Sequence, residues 1–207
     1  MAATLVRDGG RALVSAHRLA LAGVLGPPLF VAVFLVVGLI KPGYNPITRD
    51  VSESAIGELG WIQIANFLML GAALLLFAIG LWQGFGDRSS GRIGSVLVAI
   101  AGIGLLGAGV FVTDEGALAQ PTTFHGIVHD LASAVTFLSL LISAFVFARR
   151  FWPDRLFAIY SILSGLAIPA GFAIADRANA GLVQRVMVVL FWTWLTILAL
   201  RLRRSTA

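Results

Sequence analysis

The run Phe124-His125-Gly126-Ile127-Val128-His129-Asp130 places two imidazoles four residues apart. Residues at that spacing are neighbours on a helix, so His125 and His129 would present nitrogens to one ion. Two neutral nitrogens with one or two carboxylates suit zinc or another divalent transition metal. Asp114, just after the third span and about ten residues upstream, is the expected third ligand. Asp130 lies about 100° round the helix from His129 and would join only through a neighbouring chain or as a partner of a ligand. An ion held by His125, His129 and Asp114 would draw the pKa of bound water towards neutrality, with Glu53 or Glu58 relaying the proton. Against this stands a plainer reading, in which these are polar residues capping helix ends, since short motifs match by chance. Haem is not expected, because a bis-histidine site needs ligands on different helices and the remaining histidine, His17, belongs to the opposite side.

Two further segments carry polar chemistry. In Tyr44 to Trp61, Asp50 followed by Glu53 has the pattern of a capping box, and Val51, Ala55, Ile56 and Leu59 would form one apolar face. A short helix lying across the outer surface is expected there, leaving Glu53 and Glu58 to line a cavity. In Gly181-Leu182-Val183-Gln184-Arg185, an arginine slightly inside an apolar segment is costly and should snorkel or pair with Asp114, Glu53 or Asp176. Ser52, Asn66 and Arg185 are the candidate substrate-binding residues, with Arg185 suited to an anionic group.

The elements that must position these residues are apolar. The 207 residues are 58% hydrophobic and 12% charged, with a mean hydropathy of +0.93, too apolar for one water-soluble core. A spanning helix needs about 20 mainly apolar residues. By that measure the spans fall near residues 19–40, 61–82, 93–112, 124–148, 156–175 and 181–200. Helices rather than a barrel are expected, because lipid leaves backbone groups unsatisfied and no short alternating segments occur. The linkers are too short for a second domain, so residues 1–207 read as one all-α transmembrane bundle. With no cysteine, disulfides, thiolate metal sites and iron–sulfur clusters are excluded.

Charge orients the bundle. Arg7, Arg11, Arg18, Arg88, Arg92, Arg149, Arg150, Arg155, Arg201, Arg203 and Arg204 fall on one side, and Lys41, Arg49, Arg177 and Arg185 on the other. The positive-inside rule then puts both termini in the cytoplasm, in a multi-pass protein of the cell membrane. Met1 to Arg18 is expected to be a retained cytoplasmic end. The net charge of +5 therefore reports orientation and contact with membrane lipid, not nucleic acid. Asp87 and Asp154 are the carboxylates that fall on the arginine side. The glycines of the third span, with the Gly104/Ala108 pair, predict close helix packing. Pro27, Pro28 and Pro169 should kink the first and fifth spans. Thr122 or Thr123 should cap the fourth.

Tyr44 through Ser52-Glu53-Ser54-Ala55-Ile56-Gly57-Glu58-Leu59-Gly60, Asn66, Phe111-Val112-Thr113-Asp114, Pro121-Thr122, His125/His129 and Gly181 to Arg185, in that order, resemble the bacterial and archaeal membrane proteins known as domain of unknown function 998. The resemblance covers most of the chain and implies a six-helix integral membrane fold without supplying a reaction. A looser similarity is to the membrane hydrolases that include alkaline ceramidases and progestin/adiponectin-type receptors, which hold zinc with three histidines within seven helices. Only residue types match there, at Ser52 or Ser54, Asp114, His125 and His129.

Three functions compete. A metal-dependent hydrolase acting on a lipid or other amphiphile predicts a tight ligand cluster and a lateral opening. A transporter of ions or small solutes predicts a polar path continuing inward past Asn66. A noncatalytic scaffold or partner subunit predicts neither. No oligomeric state follows from the sequence.

Overall fold

The computed structural model describes residues 2–116 and 120–206, with side chains from Ser15 onward. Six α-helices follow one another: α1 (Ala2–Ile40), α2 (Gly60–Phe85), α3 (Ser89–Val110), α4 (Phe124–Arg150), α5 (Arg155–Ile174) and α6 (Ala180–Ser205). Each contains an apolar stretch long enough to cross a membrane, and no strand occurs among the described residues. Pro27, Pro28 and Pro169 all stay inside continuous helices.

Each helix packs against its neighbours in sequence, and α6 returns to α1, so the six close into a ring. Its tightest seams run along α3. A Cβ on Gly102 would come within 2.9 Å of the Gly71 carbonyl oxygen on α2, and one on Gly104 within 2.7 Å of the Ala132 oxygen on α4. Only glycine lets the backbones approach so closely. Inside, Phe34, Leu70, Leu74, Phe77, Trp194 and Leu195 are fully buried, while Leu25, Leu39, Ile103, Leu131 and Leu156 face outward as an apolar belt. That inversion of the soluble pattern is what lipid as solvent requires.

The ring has a carboxylate end and an arginine end. At the arginine end the two acidic exceptions have partners: Asp87 meets Arg150 at 2.7 Å, and Asp154 meets Arg201 at 2.6 Å. Asp154 also caps α5 by accepting the Phe157 N–H. The side chains of Arg7 and Arg11 lie outside the described residues.

Between α1 and α2 the segment expected to form a short surface helix is shorter and more buried than that. A single 3-10 turn, Ser52–Ala55, is present, and its Glu53, Ser54 and Ala55 are buried instead of lying on the surface. Half of the capping box exists, since Glu53 Oε1 accepts the Asp50 N–H at 3.2 Å, but the Asp50 carboxylate caps nothing. The Val51 N–H is taken by Gln184 Oε1 of α6 at 2.6 Å. That bond docks the segment against the bundle, while helical-type bonds persist within it, from the Glu53 N–H to the Asp50 oxygen at 3.1 Å and from the Ser54 N–H to the Val51 oxygen at 3.2 Å. The turn ends at Gly57 (φ 68°) and Leu59 (φ 60°), left-handed positions that break any continuing helix.

Candidate functional site

At the carboxylate end α4 starts at Thr123, whose Oγ1 accepts the Gly126 N–H at 3.0 Å, one of the two threonines expected to do so. Asp114, just past α3, completes this helix start. Its Oδ2 accepts the N–H groups of Thr122 (2.7 Å) and Thr123 (2.9 Å), and its Oδ1 accepts the Thr123 hydroxyl at 2.6 Å. These bonds, led by that of the Thr123 hydroxyl, hold the Asp114 carboxyl down at about 2. The anion sits where the α4 dipole favours it. Gly126 makes the contact sterically feasible, because a Cβ there would lie 2.5 Å from Asp114 Cγ.

One helical turn deeper, His129 is buried against the end of α3. Its Nδ1 lies 2.8 Å from the Phe111 oxygen and 3.0 Å from that of Ala108, carbonyls left over where α3 stops. Carbonyls only accept, so Nδ1 carries a proton, and in the neutral imidazole Nε2 is then the acceptor, without a partner among the described residues. The Phe67 ring stands edge-on to the imidazole at 6.1 Å.

His129 faces a cavity of about 520 Å³ enclosed by the ring of helices. Its mouth is lined by Asp50, Glu53, Asp114, Glu115 and Asp130, and its interior by Phe67, Leu105, Leu138, Phe172, Val188 and Trp192. Asp130 and Leu141 both line it on α4, about 16 Å apart along the axis at 1.5 Å per residue. Leu138 and Phe172 are lining residues that are also 59% and 55% exposed, so the cavity opens sideways between α4 and α5. Size and lining match those of small-molecule sites.

Ion pairs and a backbone hydrogen bond cross the mouth. Arg49 bridges Glu53 and Glu115, each at 3.0 Å. Glu53 Oε2 also takes the Gly116 N–H. The carboxylates of Asp50 and Asp130 make no hydrogen bond to any described residue. Burial, reinforced by the charge of Glu53, pushes the Asp50 carboxyl up to about 6, against the opposing pull of Arg185.

The expected metal set is not assembled. Asp114, His129, Glu53 and Ser52 share the cavity, but His125 is exposed at the rim, its ring 5.4 Å from that of Phe111 and 6.2 Å from that of Phe124. It occupies the first turn of α4 and so projects above the bundle, although it shares a helix face with His129. The Asp114 oxygens are already engaged by the two threonines, and no group of three metal-ligating side chains occurs among the described residues. The residues present therefore do not fit a zinc site.

Three other expectations change as well. Glu58 is exposed, and only its backbone oxygen is used, as an acceptor for Lys41 Nζ. Asn66 is buried outside the cavity and donates to the Phe30 oxygen at 3.1 Å. Arg185 pairs with none of Asp114, Glu53 and Asp176. Its Nη1 donates to the Pro46, Arg49 and Gly181 oxygens at 2.7, 2.9 and 2.9 Å, and its Nη2 to the Tyr44 hydroxyl at 2.5 Å. The guanidinium lies within 5.9 Å of the Phe34 ring and 5.6 Å of the Tyr44 ring. Arg185 is thus the pin that fixes the Tyr44–Asp50 loop to α6, away from any substrate.

Asp50 and Asp130 line the mouth, although the sequence points to a helix cap for Asp50 and to a ligand's partner for Asp130. A common ion about 2 Å away leaves Asp130 only an indirect place, whereas a cavity this wide admits residues about 100° apart. A free carboxylate next to a histidine was the available signal. Nothing in the spacing marked Gly126, whose role depends on where Asp114 lies.

The model of the family described as protein of unknown function (DUF998) matches residues 24–201. No curated protein matches, and no solved structure does.

Proposed function

Because the chain belongs to the DUF998 family, whose function is unknown, its role is read from the cavity, and we propose that it binds an amphiphile taken from the outer leaflet of the cell membrane. The observation that carries this reading is the shape and lining of the cavity: carboxylates and an imidazole at the mouth, a mainly apolar shaft below, and a side opening between α4 and α5. A tail leaving lipid for that shaft loses no apolar environment, while its head reaches polar groups at the depth where the bilayer itself becomes polar. In this reading both termini are cytoplasmic and the carboxylate end is external, as the arginine distribution favours. Native mass spectrometry of protein in mild detergent should show one long-chain amphiphile retained per chain. Protein that neither retains nor takes up any would remove the proposal.

A hydrolytic role is favoured by one specific feature, the orientation of His129. With Nδ1–H tied to two carbonyls, Nε2 is left as the acceptor, the disposition of a general base that takes a proton from an attacking water and returns it to a leaving group. No metal is needed for that proton transfer. The transporter reading gains less support, since Gln63 and Asn66 lie outside the cavity and only Ser133, Thr136 and Gln184 add polar groups beyond its mouth.

A further inference from the structure

The mouth of the cavity contains hydrogen-bond acceptors and an excess of negative charge. Among the described residues no lysine or arginine lines the cavity, and Arg185 acts on Asp50 only from outside it. Arg49 stands nearby, but it is spent on Glu53 and Glu115. Asp114 is satisfied by Thr122 and Thr123. What remains is the carboxylate of Asp50, the carboxylate of Asp130 and Nε2 of His129. All three belong to lining residues, and none has a partner among the described residues. His129 is only 3% exposed and lines the cavity, so its free acceptor is reached from the cavity alone.

We propose, resting on the amphiphile-binding reading, that the head group recognised here is a protonated amine, a cation with N–H donors, held by Asp50, Asp130 and His129 Nε2. A primary ammonium offers three donors, matching three acceptors, and its charge offsets that of the carboxylates. A quaternary ammonium would satisfy the charge but leave the His129 acceptor unmet. A neutral alcohol would supply a donor but no charge. An anionic head would meet carboxylates with no cation to bridge them.

The test uses the full chain in phosphatidylcholine nanodiscs, with empty nanodiscs as the partitioning blank. Dodecylamine, dodecyltrimethylammonium and dodecanol share a tail and differ in the head, and binding is followed by tryptophan fluorescence, with Trp192→Phe identifying the cavity signal. The amine should bind about tenfold more tightly than either competitor, the size of one charge-assisted hydrogen bond. Asp130→Asn should bring the amine to within about twofold of dodecanol while leaving dodecanol unchanged. Asp50→Asn should do the same, and a melting temperature that is not lowered in either variant shows that the fold is intact. Equal binding of all three probes would overturn the amine inference and leave the amphiphile reading standing, as would trimethylammonium binding as tightly as the amine. Absence of cavity binding by any probe would overturn both.

Discussion

The carboxylate of Asp114 lies directly over the α-carbon of Gly126, so close that a β-carbon would be 2.5 Å from Cγ. This contact ties the end of α3 to the first turn of α4 and sets the rim of the cavity. Gly126→Ala should therefore push Asp114 off Thr122 and Thr123 and cost about 1–3 kcal/mol, the usual range for a backbone-linked defect. Thermal unfolding in detergent would read it. An unchanged melting temperature would mean that the rim accommodates the methyl group by moving.

Arg185 is buried without a carboxylate partner and satisfies its charge on three carbonyls, a hydroxyl and two aromatic faces. Lysine lacks the planar fork, so Arg185→Lys should destabilise by about 2 kcal/mol. Tyr44→Phe removes a hydroxyl that accepts from Arg185 and donates to the Asp50 oxygen, and should cost about 1 kcal/mol. If Arg185 instead bound an anionic substrate, Arg185→Lys would weaken binding with stability intact.

Much of this architecture was legible in the chain. Length and hydropathy give six helices, the arginines distinguish the two ends, and Gly104 marks a close seam because no side chain fits there. The segment between α1 and α2 is shorter and more buried than a surface helix for a reason no local pattern contains. The Asp50–Glu53 signal is real, but Gln184, far away in sequence, takes the Val51 N–H and docks the segment into the bundle, and the left-handed Gly57 and Leu59 end it after one turn. The histidine pair failed similarly. A spacing of four puts His125 and His129 on one face, yet α4 begins at Phe124, so His125 clears the bundle while His129 sinks into it. Arg185 shows the same limit, since carbonyls of a loop between α1 and α2 were not visible as partners for a residue on α6.

Asp50 should make both binding and stability depend on pH. Its carboxyl sits at about 6, above the ordinary 3.8, facing Glu53, Asp130 and Arg185, with His129 lining the same cavity. A raised acid stabilises the fold fully below the unfolded value, and that contribution is lost as pH rises through about 6. Asp50→Asn should accordingly raise the melting temperature more at about pH 8 than at about pH 4. Dodecylamine affinity should fall as pH drops below about 6 in the native protein, and by less in Asp50→Asn. Asp114 behaves oppositely. Its carboxyl is depressed to about 2, so its contribution is present above the ordinary 3.8 and lost as pH falls towards 2.

The central claim, that a tail from the membrane occupies the ring's interior, is tested most directly through Trp192. This residue lines the cavity but is only 4% exposed, so chains in the surrounding bilayer do not reach it. With Trp61, Trp82, Trp152 and Trp194 replaced by phenylalanine, the emission of Trp192 is measured in nanodiscs as amphiphiles with brominated tails are added. Quenching that saturates, and that an unbrominated amphiphile of the same head reverses, is the result expected. Emission that stays unquenched while a control tryptophan at the lipid-facing position of Leu131 is quenched would contradict the account.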